Sequence, residues 1–188
     1  MDCEKEKISA SELTYRMATM DDYDDFYKIK CDPENVKWSG FPSAPDYGRM
    51  KEWYSQQLNS EKRTIYLCYW KEQVCGFFYL DNVSDEEFGA GASGVLTEYT
   101  GKGISEITYG VLTHYSGFGI GTELVRYALH THANKNSLFC AWVSDINKAS
   151  ERCFEKNGFT KHTIYKQQSL AIFTDLPHNF YLWTKIIV

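Results

Sequence analysis

Apolar and polar residues alternate in short runs along most of this chain and shift to helical spacing in a few places, which predicts strands interleaved with helices. Residues 13–18 read as a strand and 20–31 as a helix, followed by a Pro-punctuated loop over 32–45 that holds Trp38, Phe41, Pro42 and Pro45. A helix at 46–59 leads to a hairpin of Arg63–Trp70 and Val74–Leu80 turned at Lys71-Glu72. Residues 81–103, with Gly89, Gly91, Gly94, Gly101 and Gly103, form a long connection of the kind that serves as a binding lid or is simply a mobile loop. The run Ile104–Leu112 is β-branched and aromatic enough for a central strand. Beyond it, Ile120, Leu124, Tyr127, Ala128 and Thr131 fall on one helical face while Glu123 and Arg126 fall on the other. Ser137–Val143 reads as a buried strand, and Asn147 caps a helix to Lys156 that Asn157-Gly158 ends in a left-handed stop. Strands at 160–168 and 178–187 close the chain, with Leu176-Pro177-His178 in the turn between them. No repeat or low-complexity linker divides this pattern, so a flexible tail over 1–11 and one domain over 12–188 are expected.

Composition narrows the class. With 188 residues, 43% hydrophobic and 16% aromatic, the chain can bury a substantial core. No run is long and apolar enough to span a membrane, and Met1-Asp2-Cys3-Glu4-Lys5-Glu6-Lys7 does not read as a signal peptide, so a cytoplasmic protein without membrane contact is expected. The net charge of −5 and the lack of a Lys/Arg stripe argue against nucleic acid and suit a cationic amine partner. Cys3, Cys31, Cys68, Cys75, Cys140 and Cys153 show neither Cys-x-x-Cys nor His-linked metal spacing, which predicts free buried thiols and no metal. Asp21, Asp22, Asp24 and Asp25 resemble a cation cluster, but Thr19 followed by Asp22 is a capping pattern, and acids in a first turn complement the helix dipole.

The most informative segment is Tyr115-Ser116-Gly117-Phe118-Gly119-Ile120-Gly121, between the central strand and the amphipathic helix. Alternate glycines leave backbone N–H groups uncovered at a helix N-terminus, where the macrodipole favours an anion such as a phosphate. Glycines also serve tight turns and close packing, and both roles remain open at this point. Neither Gly-x-x-x-x-Gly-Lys-Ser/Thr nor Gly-x-Gly-x-x-Gly in a first βαβ unit is present.

A second segment, Asn147-Lys148-Ala149-Ser150-Glu151-Arg152-Cys153-Phe154-Glu155-Lys156-Asn157-Gly158-Phe159, follows at βαβ distance. Together the two resemble the GNAT superfamily of acyl-CoA-dependent N-acyltransferases, whose turn reads Arg/Gln-x-x-Gly-x-Gly/Ala and whose later helix reads Asn-x-x-(Ala/Ser) and Tyr-x-x-x-Gly-Phe. The second segment is most similar to the ribosomal-protein N-terminal acetyltransferase branch, and Leu13–Ala18 followed by Thr19-Met20-Asp21-Asp22 resembles that branch's opening. The resemblance implies an α/β (α+β) domain. Its mixed central sheet would have about six or seven strands flanked by about four helices, with splayed central strands forming an acyl-CoA slot.

The resemblance also implies a reaction: transfer of acetyl from acetyl-CoA to a primary amine, a protein N-terminus or a small molecule, directly in a ternary complex by a monomer or homodimer. Backbone groups of Ser116, Gly117, Phe118, Gly119, Ile120 and Gly121 would hold the pyrophosphate, Gly110, Val111 and Leu112 would pair with the pantetheine arm, and Asn147 would orient it. Glu106 would accept the proton of the ammonium, directly or through water. Two positions depart from the family. Ser116 replaces the usual Arg or Gln, and Phe154 replaces the Tyr that protonates the leaving thiolate, so the branch's serine nominates Ser150. These departures keep open a non-catalytic acyl-CoA sensor, and an interaction protein using the fold as a scaffold is a third class. Tyr47, Trp53, Trp38 and Phe41 are candidates for the acceptor wall, while His114 and His178 read as loop histidines.

Overall fold

A computed structural model, which describes residues 8–84, 103–132, 137–170 and 177–187, turns the alternating runs into one sheet. Its strands are β1 (Leu13–Met17), β2 (Arg63–Trp70), β3 (Gln73–Val83), β4 (Ile104–Val111), β5 (Ser137–Ser144), β6 (Thr160–Ser169) and β7 (Pro177–Ile187), ordered β1-β2-β3-β4-β5-β7-β6. Every neighbouring pair is antiparallel except β4 with β5. That parallel ladder joins only Ile104–Glu106 to Leu138–Cys140. Beyond it β4 continues to Val111 on β3 while β5 continues to Ser144 on β7, so the two strands separate into the expected slot.

Five α-helices are present among the described residues: α1 (Tyr23–Lys30), α2 (Pro33–Ser39), α3 (Tyr47–Leu58), α4 (Ile120–His132) and α5 (Lys148–Lys156). Successive strand side chains point to opposite faces, so adjacent phenylalanines of β3 serve different layers. Phe77 meets Phe26 of α1 at a centroid distance of 5.3 Å, and Phe26 stacks on Tyr54 of α3 at 4.7 Å. Phe78 and its cross-strand partner Tyr66 instead each meet Tyr127 of α4 at 6.1 Å. Full burial of such a ring contributes about 1.5–3 kcal/mol, which fixes the strand register as well as the layers.

Several details depart from the sequence expectation. The loop expected over 32–45 contains α2, because Asp32 accepts from the Glu34 N–H as an N-cap, Pro33 takes the first helical position, and Gly40 closes the helix at φ 77°. The helix expected at 20–31 begins as a 3-10 turn, Met20–Asp22. In α4 the buried face is Ile120, Leu124, Val125, Ala128 and Leu129, while Thr131 is exposed and Tyr127 half-buried, because the helix sits over both β3 and β4. Residues 8–11, expected in a flexible tail, are held: Ile8 is buried and its N–H donates to Phe118 O at 3.0 Å. The remainder of that tail, the expected lid from 85 to 102 and Leu176 lie outside the described residues. The hairpin turn at Lys71 and Glu72 has φ of 48° and 64°, which matches the twist of the strands although neither residue is glycine.

Candidate active site

The glycine turn performs two jobs. Gly117 and Gly119 both adopt φ 91°, a left-handed backbone that a side chain would strain. The Gly119 carbonyl then accepts from the N–H groups of Thr122 (3.0 Å) and Glu123 (3.2 Å), which starts α4, whose leading amides have no partner within the helix. Gly121 serves packing: a Cβ there would stand 3.1 Å from the Tyr109 ring and 3.2 Å from Cys153 Sγ, so glycine lets α4 close on β4 and α5. Ser116 is exposed at the end of the 3-10 turn Thr113–Tyr115, Phe118 packs against the core, and Ile120 is buried in it.

At the far end of β4, Asn35 of α2 donates from Nδ2 to Val111 O at 3.1 Å, and Leu112 N–H donates to Cys75 O at 3.0 Å. Two of the backbone groups expected to meet the pantetheine arm are therefore held within the protein. Gly110 is needed because a Cβ would stand 2.6 Å from Asn35 Oδ1. α2, unforeseen from sequence, thus covers this end of the strand.

Where β4 and β5 part, a cavity of about 120 Å³ is lined by Tyr109, Ser144, Asn147 and Ser150. Asn147 Oδ1 accepts from Ser150 N–H at 3.1 Å and caps α5, as its spacing predicts. Ser144 Oγ is buried without a hydrogen-bond partner among the described residues. Such a hydroxyl costs about 1–3 kcal/mol, which a polar group lying in the slot would relieve. The sequence gives no sign of Ser144, because only the splay of β5 away from β4 exposes it to a slot.

Phe154 is 2% exposed and packs on Phe159, so position 154 belongs to the core. A phenol nevertheless stands nearby: Tyr109 Oη lies 3.1 Å from Ser150 Oγ. Burial first, and then Cys153, pushes the Tyr109 pKa well above the usual value, so its hydroxyl keeps its proton at neutral pH. In the sequence Tyr109 is one aromatic residue of the apolar run Ile104–Leu112. Strand parity, which sends it to the α5 face, was the available signal.

On the opposite face of β4 lies a larger cavity of about 360 Å³. Trp38, Phe41, Trp53, Trp142 and Phe180 supply its aromatic walls, and Glu106, Lys30 and Lys166 its charges. Trp38, Thr108, Tyr109, Trp142 and Phe180 border both cavities, so the two adjoin along β4. Burial raises the Glu106 pKa above the ordinary carboxylate value, against the pull of Lys166 and Arg63. Arg63 is itself answered by Asp81, at 2.7 Å between Nη2 and Oδ2.

Tyr47 does not reach this wall. Its hydroxyl donates to Asp24 at 2.6 Å and its ring meets Tyr23 edge-on at 5.0 Å. The other acids near it are likewise engaged. Asp22 pairs with Arg16 and accepts from Thr19, and Asp25 accepts from Tyr69 at 3.0 Å. Among the described residues no His, Cys, Asp or Glu group is arranged to hold a metal, and Cys31, Cys68, Cys75, Cys140 and Cys153 are free thiols. His114 is exposed, His178 lies at the start of β7, and no helix of the described residues is long and apolar enough to cross a membrane.

A family model described as an acetyltransferase (GNAT) domain matches residues 12–160. No curated protein matches the sequence. Among solved structures, the chain is similar to a ribosomal-protein-alanine N-acetyltransferase from Brucella melitensis, at 18% identity and TM-score 0.70, covering 93% of this chain and 99% of that one. It is also similar to a spermidine N-acetyltransferase from Vibrio cholerae in complex with CoA and spermine, at 14% identity and TM-score 0.71, covering 94% and 96%. A GNAT superfamily phosphinothricin acetyltransferase from Sinorhizobium meliloti in complex with acetyl-CoA gives 14% identity and TM-score 0.70, covering 94% and 89%. At these identities the likeness is one of fold.

Proposed function

The chain belongs to the GNAT acetyltransferase family, and from that premise we propose that residues 12–188 form a domain transferring acetyl from acetyl-CoA to a primary amine held in the larger cavity. The observation that carries this reading is the division of labour across β4: Glu106 faces the larger cavity, while Tyr109 with Ser150 lines the slot.

The backbone amides of the glycine turn, from Gly117 to Gly121, hold the pyrophosphate, with Ser116 in place of a longer side chain. Asn147, Ser144 and β4 at Thr108 and Tyr109 line the path of the pantetheine arm. Glu106 takes a proton from the ammonium, directly or through water, and the neutral amine attacks the thioester carbon. The carbon–sulfur bond breaks, the attached nitrogen gives up its surplus proton to solvent, and the departing thiolate takes a proton from the Tyr109–Ser150 hydroxyl pair, which solvent replenishes. Tyr109 thereby supplies the phenol that Phe154 lacks, from a strand instead of a helix.

Ser116 and Phe154 also support a second reading, a non-catalytic acyl-CoA-binding sensor. Release of free CoA from acetyl-CoA in the presence of a panel of amines separates the two. Amine-dependent release is expected, whereas tight acetyl-CoA binding with no release for any amine would leave the sensor.

A further inference from the structure

Lys30, the last residue of α1, is 9% exposed and lines the larger cavity. Among the described residues its ammonium has neither a hydrogen bond nor an ion pair; its contact is the Phe77 ring, 5.3 Å from Nζ to the centroid. The charge that acts on it, Arg63, has the same sign. A buried ammonium without a counter-charge is costly, and structures keep such groups where something else supplies the charge.

The cavity's acid does not supply it. Phe77 faces Gly110 across the β3–β4 ladder and Asp81 faces Glu106, four residues further along. At about 3.3 Å per residue the two ends of this floor are roughly 13 Å apart. Lys30 thus packs on Phe77, four register positions along β3 from the residue that faces Glu106, and Glu106 is not among the charges acting on it. With Lys166 also on the wall and Arg63 committed to Asp81, the cavity holds more positive than negative free charge. That environment disfavours a polycation and leaves a place for an anion.

We propose that the acceptor carries an anionic group, a carboxylate or a phosphate, which Lys30 receives while the amine is directed toward Glu106; this rests on the acetyl-transfer reading above. The aromatic walls of Trp38, Trp53 and Trp142 cover the apolar body between the two charged ends.

The test is calorimetric titration of the CoA-loaded full chain with matched pairs: phenylalanine against phenylethylamine, γ-aminobutyrate against butylamine, and phosphoethanolamine against ethanolamine. In at least one pair the anionic member should bind about ten- to a hundredfold more tightly, the span of a hydrogen bond to a charged group. The pair that responds tells carboxylate from phosphate. Lys30→Met should erase the preference and Lys30→Arg should retain it, with circular dichroism confirming both folds. Equal or tighter binding of the member without the anionic group in every pair overturns the proposal, as does an unchanged preference in Lys30→Met. Acetylation of the same compounds is scored separately. Preference without acetylation removes the transfer reading and keeps the anion site, and acetylation without preference does the reverse.

Discussion

The hydroxyls of Tyr109 and Ser150 lie 3.1 Å apart and join β4 to the first turn of α5 across the slot. Behind them the Phe154 ring stands 5.9 Å from that of Tyr109, so the two hydroxyls occupy the space in front of a residue that has no proton to give. Ser150 also donates its backbone N–H to Asn147, which separates its capping role from any role of its side chain.

That separation makes Ser150→Ala a clean variant, since the cap uses the backbone. We expect kcat to fall about ten- to a thousandfold with acetyl-CoA affinity nearly unchanged, and Tyr109→Phe to behave alike. Because the two act as one unit, the double variant should cost little more than the worse single one. Full turnover in both single variants, measured by CoA release, assigns thiolate protonation to solvent.

Glu106 must lose its proton to act as a base, and burial moves its pKa upward, so activity should rise with pH at a higher value than for a solvated glutamate near 4.3. Removing the opposing charge with Lys166→Met should shift that rise further upward. Glu106→Gln should lower kcat/KM about a hundredfold or more at neutral pH and recover partly at alkaline pH, where more amine is already deprotonated. A pH–rate profile identical to that of the parent makes Glu106 a structural strand residue.

Gly119 holds φ 91° at the start of α4, so Gly119→Glu adds backbone strain of about 1–3 kcal/mol and sets a carboxylate where the phosphates are expected. Acetyl-CoA binding should be lost while far-ultraviolet circular dichroism stays native-like. Wild-type affinity in a folded variant places the pyrophosphate elsewhere.

Burial lowers the Lys30 pKa to about 8, from an ordinary value near 10.5. The folded state therefore binds fewer protons than the unfolded chain between these values, and the resulting destabilisation, about 3 kcal/mol, is present in full below pH 8 and disappears toward pH 10.5. Lys30→Met should raise Tm at neutral pH by about 2–4 °C for each kcal/mol removed, and the gap should close at alkaline pH. Equal melting temperatures at pH 7 would show that the ammonium already has a partner.

Much of this protein is written locally. Apolar alternation placed the strands, Asn147 and Gly158 set the limits of α5, and Gly117 and Gly119 marked the turn, because caps, left-handed glycines and two-residue periodicity are properties of neighbouring residues. Glu106 was nominated by the family resemblance, and the structure places it on the wall of the larger cavity. α2 carried its signals in Asp32, Pro33 and Gly40, but the aromatic and proline content that follows outweighed them.

The tertiary structure decided what no window of sequence contains. Tyr109 and Ser150 are 41 positions apart and meet where α5 packs beside β4, with Gly121 of α4 close against Tyr109 and Cys153. Ser144 became a slot residue only when β5 turned away from β4 beyond Cys140. Lys30 ends an amphipathic helix where a lysine ordinarily faces water, and it became a buried cation only because α1 packs on β3 with Phe77 beneath it. Burial and charge environment are set by elements far apart in the chain, so these three roles emerged only once the sheet was assembled.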